Sequence, residues 1–427
     1  MRNRGGGGGM AAALVLLPVL AYLVCPSVAA GPRQRKGSAD LGGERVLQVG
    51  MTLVPGAEAK GAVCLDGSPP AYHLDRGFGT GARNWLLQFE GGGWCNDVAS
   101  CLLRSTTGHG SSRLMRKVEY FSGILSDDPS HNPDFYNWNR VKLRYCDGAS
   151  FGGDSSYIND TMLLHFRGQR IWEAIILDLL PKGLDIAQKA LLSGCSAGGL
   201  ATFLHCDDFR RLLPESATVK CLSDAGFFLD VADIVGNYTM RSFFDSVVAL
   251  QVSPLLLSYG LSNDSFALMQ LHDPSVFPAC RCLGKYNETL TQTALALAAT
   301  PNSSITFLYP RMPISVGIGV AANKIQRHAI LIRSLFCMVC YRNQMLVALR
   351  SSGDMGRGLY INSCFAHCQS ELQDTWFAPD SPRIHNKTIA QTIGDWYFER
   401  GNASEIDGAY PCDHTCHNAI PLEQELV

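Results

Sequence analysis

The chain has 427 residues, enough for one large catalytic domain or two small ones, and its 42 glycines and 20 prolines are typical of a loop-rich globular protein. Its 36 basic and 38 acidic residues leave a formal net charge of −2 at pH 7. This balance lacks the excess of basic residues that is typical of proteins binding nucleic acid or another polyanion, so we expect no nucleic-acid partner.

The first 30 residues have the pattern of a secretory signal peptide. Two arginines precede an apolar run at residues 11–24, and the small residues 28–30 form a cleavage site. The run is too short for a stable spanning helix, although an uncleaved anchor is the alternative. We expect a secreted protein with no membrane association after cleavage, in which residues 31–45 are a flexible leader and residues 46–420 form a single domain.

Sixteen cysteines agree with secretion, because disulfide bonds persist in oxidising compartments. Many lie close together in sequence: Cys95 and Cys101, Cys206 and Cys221, Cys364 and Cys368, and Cys412 and Cys416. Their spacing does not define which cysteines are bonded. Zinc is the alternative, but three residues separate the members of the last two pairs, whereas a zinc knuckle has two. We therefore expect a disulfide framework and no metal.

The predicted elements alternate between strands and helices along the chain. Apolar runs at residues 85–89, 141–145 and 189–193 predict strands. Apolar residues at helical spacing over residues 168–180 predict a helix, and a second helix follows the third strand up to Leu213. This alternation predicts an α/β fold with a mostly parallel central sheet flanked by helices.

Residues 194–198 read Gly-Cys-Ser-Ala-Gly and match the Gly-x-Ser-x-Gly nucleophile elbow. Glycines permit a turn so sharp that Cβ atoms would clash, and the turn presents Ser196 at a helix N-terminus, which favours developing negative charge. A glycine-rich chain can produce this pentapeptide by chance. Its position between a predicted strand and a predicted helix favours Ser196 as the nucleophile.

A second glycine-rich segment, residues 90–95, reads Glu-Gly-Gly-Gly-Trp-Cys and directly follows the first predicted strand. Such a turn can aim backbone N–H groups at the oxyanion of a tetrahedral intermediate, and the N–H of Ala197 would complete the oxyanion hole. The alternative is a tight turn held by Cys95. The elbow further along the chain favours the catalytic interpretation.

His367 lies between two cysteines late in the chain. In α/β-hydrolases the nucleophile, the acid and the histidine follow in this order, so a late histidine suits the role of general base. A buried structural histidine is the alternative. His385, His414 and His417 also occur late, but the last two lie in a cysteine-rich tail that is typical of a structural segment.

Together these segments resemble motifs of the plant pectin acetylesterase family, which is related to the animal carboxylesterase Notum. The matching segments are residues 90–95, 145–154, 192–199, 221–230, 364–369 and 394–397. The resemblance covers residues 46–251 and 341–418. It implies an α/β-hydrolase fold and the removal of acetyl esters from cell-wall homogalacturonan by a Ser–Asp–His triad.

The resemblance also implies roles for individual residues. Ser196 would be the nucleophile and His367 the general base, while the backbone amides of Gly93, Trp94 and Ala197 would be the oxyanion donors. Neither a metal nor an organic cofactor would be needed. We expect acetylated pectin as the partner, the extracellular cell wall as the location, and a monomer.

The resemblance breaks off between residues 252 and 340. The family's triad acid lies in a Tyr-Asp-x-Trp-Gln segment, no such string occurs here, and the stretch holds only three acids, Asp264, Asp273 and Glu288. The resemblance stops and resumes abruptly at the ends of this stretch, which suggests a shifted reading frame or misplaced splice junctions in the gene model rather than evolutionary divergence. We therefore expect residues 252–340 not to form the family's native structure, and the chain to be inactive or poorly folded.

Three functions are compatible with these patterns. The first is an acetyl-ester hydrolase that works through an acyl-enzyme intermediate. The second is a carbohydrate-binding pseudoenzyme that keeps the pocket and lacks the acid. The third is an esterase of another specificity, such as a lipid-protein deacylase, because a shared fold does not determine the substrate.

Overall fold

The computed structural model describes most of the chain from residue 47 onwards. The described residues are 47–228, 230, 237–251, 304–307, 342–343, 345–347, 349, 358–364, 366–401, 403–408 and 413–416. The predicted signal peptide, the leader and all of residues 252–340 except 304–307 lie outside them, so these expectations and that of a single domain stay predictions. Within the described residues, no helix has both the length and the apolar character needed to cross a membrane.

The described residues form twelve strands, and ten of these make up one central sheet. In chain order the strands are β1 Leu47–Leu53, β2 Ala71–Asp75, β3 Asn84–Phe89, β4 Val118–Phe121, β5 Asn139–Leu143, β6 Ser155–Asn159, β7 Met162–Phe166, β8 Lys189–Cys195, β9 Thr218–Asp224, β10 Ser304–Phe307, β11 Leu359–Ile361 and β12 Ser404–Ile406. The order across the sheet is β12-β11-β10-β9-β8-β3-β5-β2-β1-β4, and β6 and β7 form a separate hairpin. All neighbours from β12 to β5 pair in parallel, and the remaining pairs are antiparallel. The mostly parallel sheet is therefore confirmed.

Helices lie on both faces of this sheet and beside the hairpin. They include α1 Val98–Ser105, α2 Gly168–Leu179, α3 Ala197–Leu212, α4 Thr239–Gln251, α5 Gln373–Trp376 and α6 Ile389–Tyr397, of which α1 and α4 lie against the β6–β7 hairpin. On one face, Leu87 belongs to the same core as Ile175 of α2 and Phe209 of α3. On the other face, Leu86 belongs to a core with Ile393 of α6. Because neighbouring strand residues point to opposite faces, both must be apolar, and the buried strands read as continuous apolar runs.

Five disulfide bonds lie within the described residues: Cys64–Cys146, Cys95–Cys101, Cys195–Cys368, Cys206–Cys221 and Cys364–Cys416. Two of them join cysteines that lie close in sequence. The neighbours Cys364 and Cys368 are not bonded to each other but reach different parts of the chain. This framework confirms the predicted disulfides, and its connectivity comes from the folded structure alone.

Strand β10 is the described part of the divergent stretch. Its backbone pairs in parallel with β9 and with β11, so this short segment occupies a regular position in the sheet. The first acidic residue after Glu288 in the sequence is Asp354, so no carboxylate directly follows β10. The expectation about residues 252–340 as a whole concerns residues outside the description and stays a prediction.

Candidate active site

Ser196 lies at a sharp turn between β8 and α3. Its φ and ψ are 57° and −122°, which a residue with a side chain rarely adopts, and its backbone N–H donates to the carbonyl of Asp224 at 2.9 Å. A Cβ atom added to Gly194 would lie 2.2 Å from the carbonyl oxygen of Gly198, so the turn requires glycine there. This strand–turn–helix geometry is that of a nucleophile elbow, and the role of Ser196 as nucleophile stays a prediction.

The glycine-rich loop, residues 90–95, lies directly against this elbow. Strands β3 and β8 are parallel neighbours, with Phe89 opposite Gly194, so the loop and the elbow leave the sheet at the same edge. A Cβ atom on Gly91 would lie 2.7 Å from the Cys195 carbonyl oxygen and 3.2 Å from the Cβ of Ser196. Only glycine permits this approach, which brings the backbone of Gly91 beside the candidate nucleophile.

Trp94, near the end of the loop, packs among other aromatic side chains. Its indole N–H donates to the Ser150 hydroxyl at 2.7 Å, and its ring packs against Phe228 and Phe244 with centroid distances of 4.9 and 4.8 Å. Gly93 has a φ of 66°, and a Cβ atom there would meet no atom of the described residues within 4 Å, its own neighbours in the chain aside. Among the described residues, Gly93 therefore has no close neighbour on its side-chain face, and it lies next to the aromatic cluster around Trp94.

His367 is brought to the elbow by a disulfide bond. Cys195 directly precedes Ser196, Cys368 directly follows His367, and their Cα atoms are 5.4 Å apart. A ring nitrogen of His367 lies within 4.8 Å of both sulfur atoms. Residues 171 positions apart in the chain thus belong to one site, although the sequence did not show that these cysteines are partners.

The disulfide bonds also bear on the zinc alternative. Two groups of potential metal ligands lie close together in the described residues, one with Cys195, His367 and Cys368 and one with Cys364, Asp413 and Cys416. In each group the two cysteines are bonded to one another, so neither has the thiolate that zinc binds. These two groups therefore do not fit a zinc site.

Asp224, which the sequence analysis did not single out, links the elbow to the histidine loop. It ends β9, its backbone carbonyl accepts the Ser196 N–H, and its buried carboxylate accepts both the N–H and the hydroxyl of Ser370, at 2.8 and 2.6 Å. Ser370 lies three residues beyond His367. The signal in the sequence is an acidic residue at the end of the strand that follows the elbow helix.

A partly buried ionic cluster lies beside the loop. The guanidinium of Arg144 contacts the carboxylates of Glu90 and Glu119 at 2.9 and 3.0 Å, and Lys142 donates to Glu119 at 3.0 Å. Glu90 also accepts the backbone N–H of Tyr145 at 2.9 Å. Because Glu90 begins the glycine-rich loop, these bonds anchor the loop at its first residue.

Comparison with known proteins identifies the family. The model of the family described as Pectinacetylesterase matches residues 43–417. The chain is 43% identical over 374 residues to pectin acetylesterase 11 of Arabidopsis thaliana, covering 86% of this chain and 92% of that protein. Pectin acetylesterase 7 of the same organism is 42% identical over 378 residues, covering 87% and 94%. The chain belongs to the pectinacetylesterase family.

More distant similarity extends to Notum. The palmitoleoyl-protein carboxylesterase NOTUM of Mus musculus is 38% identical over 176 residues, which cover 39% of this chain and 34% of that protein. A structure of the Wnt deacylase Notum from Drosophila superposes with a TM-score of 0.65 at 19% identity, covering 87% of this chain and 99% of that one. The expected α/β-hydrolase-like fold is confirmed, and this pectinacetylesterase family member is a carboxylic ester hydrolase.

Replacing Asp224 with asparagine should change how the stability of this family member depends on pH. Burial raises the pKa of Asp224 from 3.8 to about 6, although the hydrogen bonds from Ser370 lower it. Between these values the folded protein keeps a proton that the unfolded chain has lost, so the group makes folding less favourable as pH rises from about 4 to 6. The variant lacks this effect.

We expect the free energy of unfolding of Asp224→Asn, relative to the unmodified protein, to increase by roughly 2–3 kcal/mol between pH 4 and pH 7. Urea unfolding of both proteins at each pH measures this difference. Asp185→Asn, at an exposed position on the short turn before β8, is the control for the chemical change itself. A constant difference between Asp224→Asn and the unmodified protein across this range would contradict the raised pKa.

Proposed function

We propose that the protein is a secreted serine esterase that removes acetyl groups from cell-wall pectin. The observation that carries the proposal is the meeting, at one edge of the sheet, of the Ser196 elbow, the glycine-rich loop and the loop of His367. The names of the similar plant proteins support acetylated pectin as the substrate. The signal-peptide pattern and the disulfide framework support an extracellular location.

In the proposed mechanism, His367 accepts the hydroxyl proton of Ser196 while the Ser196 oxygen attacks the acetyl carbonyl carbon. The N–H groups of Gly93, Trp94 and Ala197 stabilise the negative oxygen that forms. The intermediate then collapses, the C–O bond to the sugar breaks, and His367 returns its proton to the leaving sugar oxygen. The acetyl group remains as an ester on Ser196.

The second half of the reaction removes the acetyl group from the enzyme. His367 takes a proton from a water molecule, whose oxygen attacks the acyl-enzyme carbonyl through a second tetrahedral intermediate. Collapse of this intermediate releases acetate and returns the proton to Ser196. The residues in this scheme supply a nucleophile, a proton carrier and oxyanion donors, so it requires no metal, no organic cofactor and no second protein copy.

The test is acetate release from acetylated pectin by the purified full chain. On this proposal the chain releases acetate from pectin and hydrolyses a chromogenic acetate ester, and it does not cleave a palmitoleoylated peptide, which serves as the comparison for a lipid-protein deacylase; the inactivity expected from the divergent stretch is the opposite result. Cleavage of the lipidated peptide without release of acetate from pectin would overturn the proposed substrate and leave the ester-hydrolase class intact.

A carbohydrate-binding protein with impaired catalysis is the second candidate. The observation in its favour is that no acidic residue occurs between Glu288 and Asp354, so none directly follows β10. A triad without its acid loses about 10⁴-fold in rate, because the histidine tautomer and the imidazolium are no longer stabilised. Pectin binding measured by calorimetry, together with no detectable hydrolysis of the chromogenic ester, would select this candidate.

A further inference from the structure

We infer that Arg104 and Tyr145 are positioning residues that orient the two peptide groups donating to the oxyanion. This inference rests on the proposed function, in which the N–H groups of Gly93 and Trp94 are oxyanion donors. It concerns residues outside the nucleophile elbow and the glycine-rich loop. Neither side chain is required to contact the substrate, because each acts through the backbone of the glycine-rich loop.

Each side chain holds one carbonyl of the loop. The Tyr145 hydroxyl donates to the carbonyl oxygen of Gly93 at 2.8 Å, and Nη1 of Arg104 donates to the carbonyl oxygen of Gly92 at 2.8 Å. In a trans peptide group the C=O and the following N–H point in opposite directions. Holding the Gly92 carbonyl therefore directs the Gly93 N–H, and holding the Gly93 carbonyl directs the Trp94 N–H.

The N–H groups of Gly93 and Trp94 are not used in hydrogen bonds to the described backbone, so they can donate to a ligand. In the part of the chain that the structure describes, no backbone carbonyl accepts the N–H of Gly93 or of Trp94. The loop lies against Ser196 through Gly91. A glycine-rich segment has little conformational preference of its own, so the orientation of these peptide groups has to come from its neighbours.

Arg104 and Tyr145 are themselves held firmly. Tyr145 is fully buried, and its hydroxyl accepts the backbone N–H of Ser150 at 3.0 Å. Burial raises the pKa of Tyr145 above its usual value, so the hydroxyl keeps the proton that it donates. The Arg104 guanidinium lies 4.8 Å from the centre of the Tyr145 ring, and its Nε donates to the carbonyl of His109 at 3.1 Å.

Other bonds maintain the position of the loop without these two side chains. Cys95 is bonded to Cys101, and its N–H donates to the Gly148 carbonyl at 3.2 Å. Glu90 is anchored by Arg144 at the other end of the loop. Removing the Tyr145 hydroxyl therefore leaves the loop attached at both ends and frees the peptide group between Gly93 and Trp94 to rotate.

The experiment compares an oxo ester with the matching thiono ester, p-nitrophenyl acetate with p-nitrophenyl thionoacetate. Sulfur accepts hydrogen bonds more weakly than oxygen, so a well-oriented oxyanion hole favours the oxo ester. Loss of one donor costs about 10²–10³-fold in kcat, and misorientation forfeits part of this effect. For Tyr145→Phe we expect the oxo-to-thiono ratio of kcat/KM to fall about tenfold, mainly through kcat on the oxo ester. Arg104→Met should lower the same ratio.

The ratio does not depend on how much of a variant is folded, so a merely structural defect leaves it unchanged. Tyr397→Phe is the matched control, because that buried hydroxyl donates to the carbonyls of Ala190 and Thr218 at the opposite edge of the sheet, and its ratio should match the unmodified protein. An unchanged ratio in Tyr145→Phe, with activity that depends on Ser196, would overturn this inference alone. Full activity in Ser196→Ala would instead overturn the proposed function.

Discussion

Replacing Ser196 with alanine is expected to abolish ester hydrolysis and to leave the fold intact. The side chain is the candidate nucleophile at the elbow, and its removal leaves only binding and oxyanion stabilisation. Deletion of a triad member in other serine hydrolases lowers kcat by about 10⁴- to 10⁶-fold. Initial rates on a chromogenic acetate ester measure the loss, and thermal unfolding measures whether the fold is kept.

Ser193→Ala is the matched control for this experiment. Ser193 is buried three residues earlier on β8, and among the described residues its hydroxyl has no hydrogen-bond partner, so we expect near-normal activity. His367→Ala should be as severe as Ser196→Ala, and the double variant no worse than either, because the two side chains act as one unit. Substantial hydrolysis by Ser196→Ala would remove the nucleophile assignment.

Among the five described disulfides, removal of Cys195–Cys368 is expected to cause the largest loss of stability, together with a loss of activity. The bond closes a loop of 173 residues, and the chain-entropy relation gives about 5 kcal/mol for such a loop. Because it joins the neighbours of Ser196 and His367, its loss also relaxes the distance between nucleophile and base. A shift of about 1 Å in a catalytic group can cost on the order of 100-fold in rate.

The variant Cys195→Ser with Cys368→Ser tests this expectation, and Cys206→Ser with Cys221→Ser is the control. The control bond joins α3 to β9 across a loop of 15 residues, for which the same relation gives about 3 kcal/mol. Measurements are urea unfolding and kcat at a temperature where both variants are folded. Equal kcat values in the two double variants would show that the Cys195–Cys368 bond does not position the site.

Much of the fold follows from local patterns. The apolar runs predicted at residues 85–89 and 189–193 are parts of β3 and β8, and the helix predicted over residues 168–180 is α2 to within one residue. These elements can be predicted from the sequence, because burial of a strand or of one helix face makes apolar residues recur at a characteristic spacing. The run at 141–145 was placed two residues late, since β5 is Asn139–Leu143 and begins with polar residues.

The sequence by itself determined the candidate catalytic groups. These are a serine in a sharp turn that requires glycines, a glycine-rich loop after a strand, and a histidine late in the chain. Which of these groups meet was decided only by the tertiary structure. The Cys195–Cys368 bond, the hydrogen bonds of Asp224 to Ser370 and the hold of Tyr145 on Gly93 join residues 173, 146 and 52 positions apart. Such contacts have no local signature, because they depend on the order in which strands assemble in the sheet and not on the spacing of neighbouring side chains.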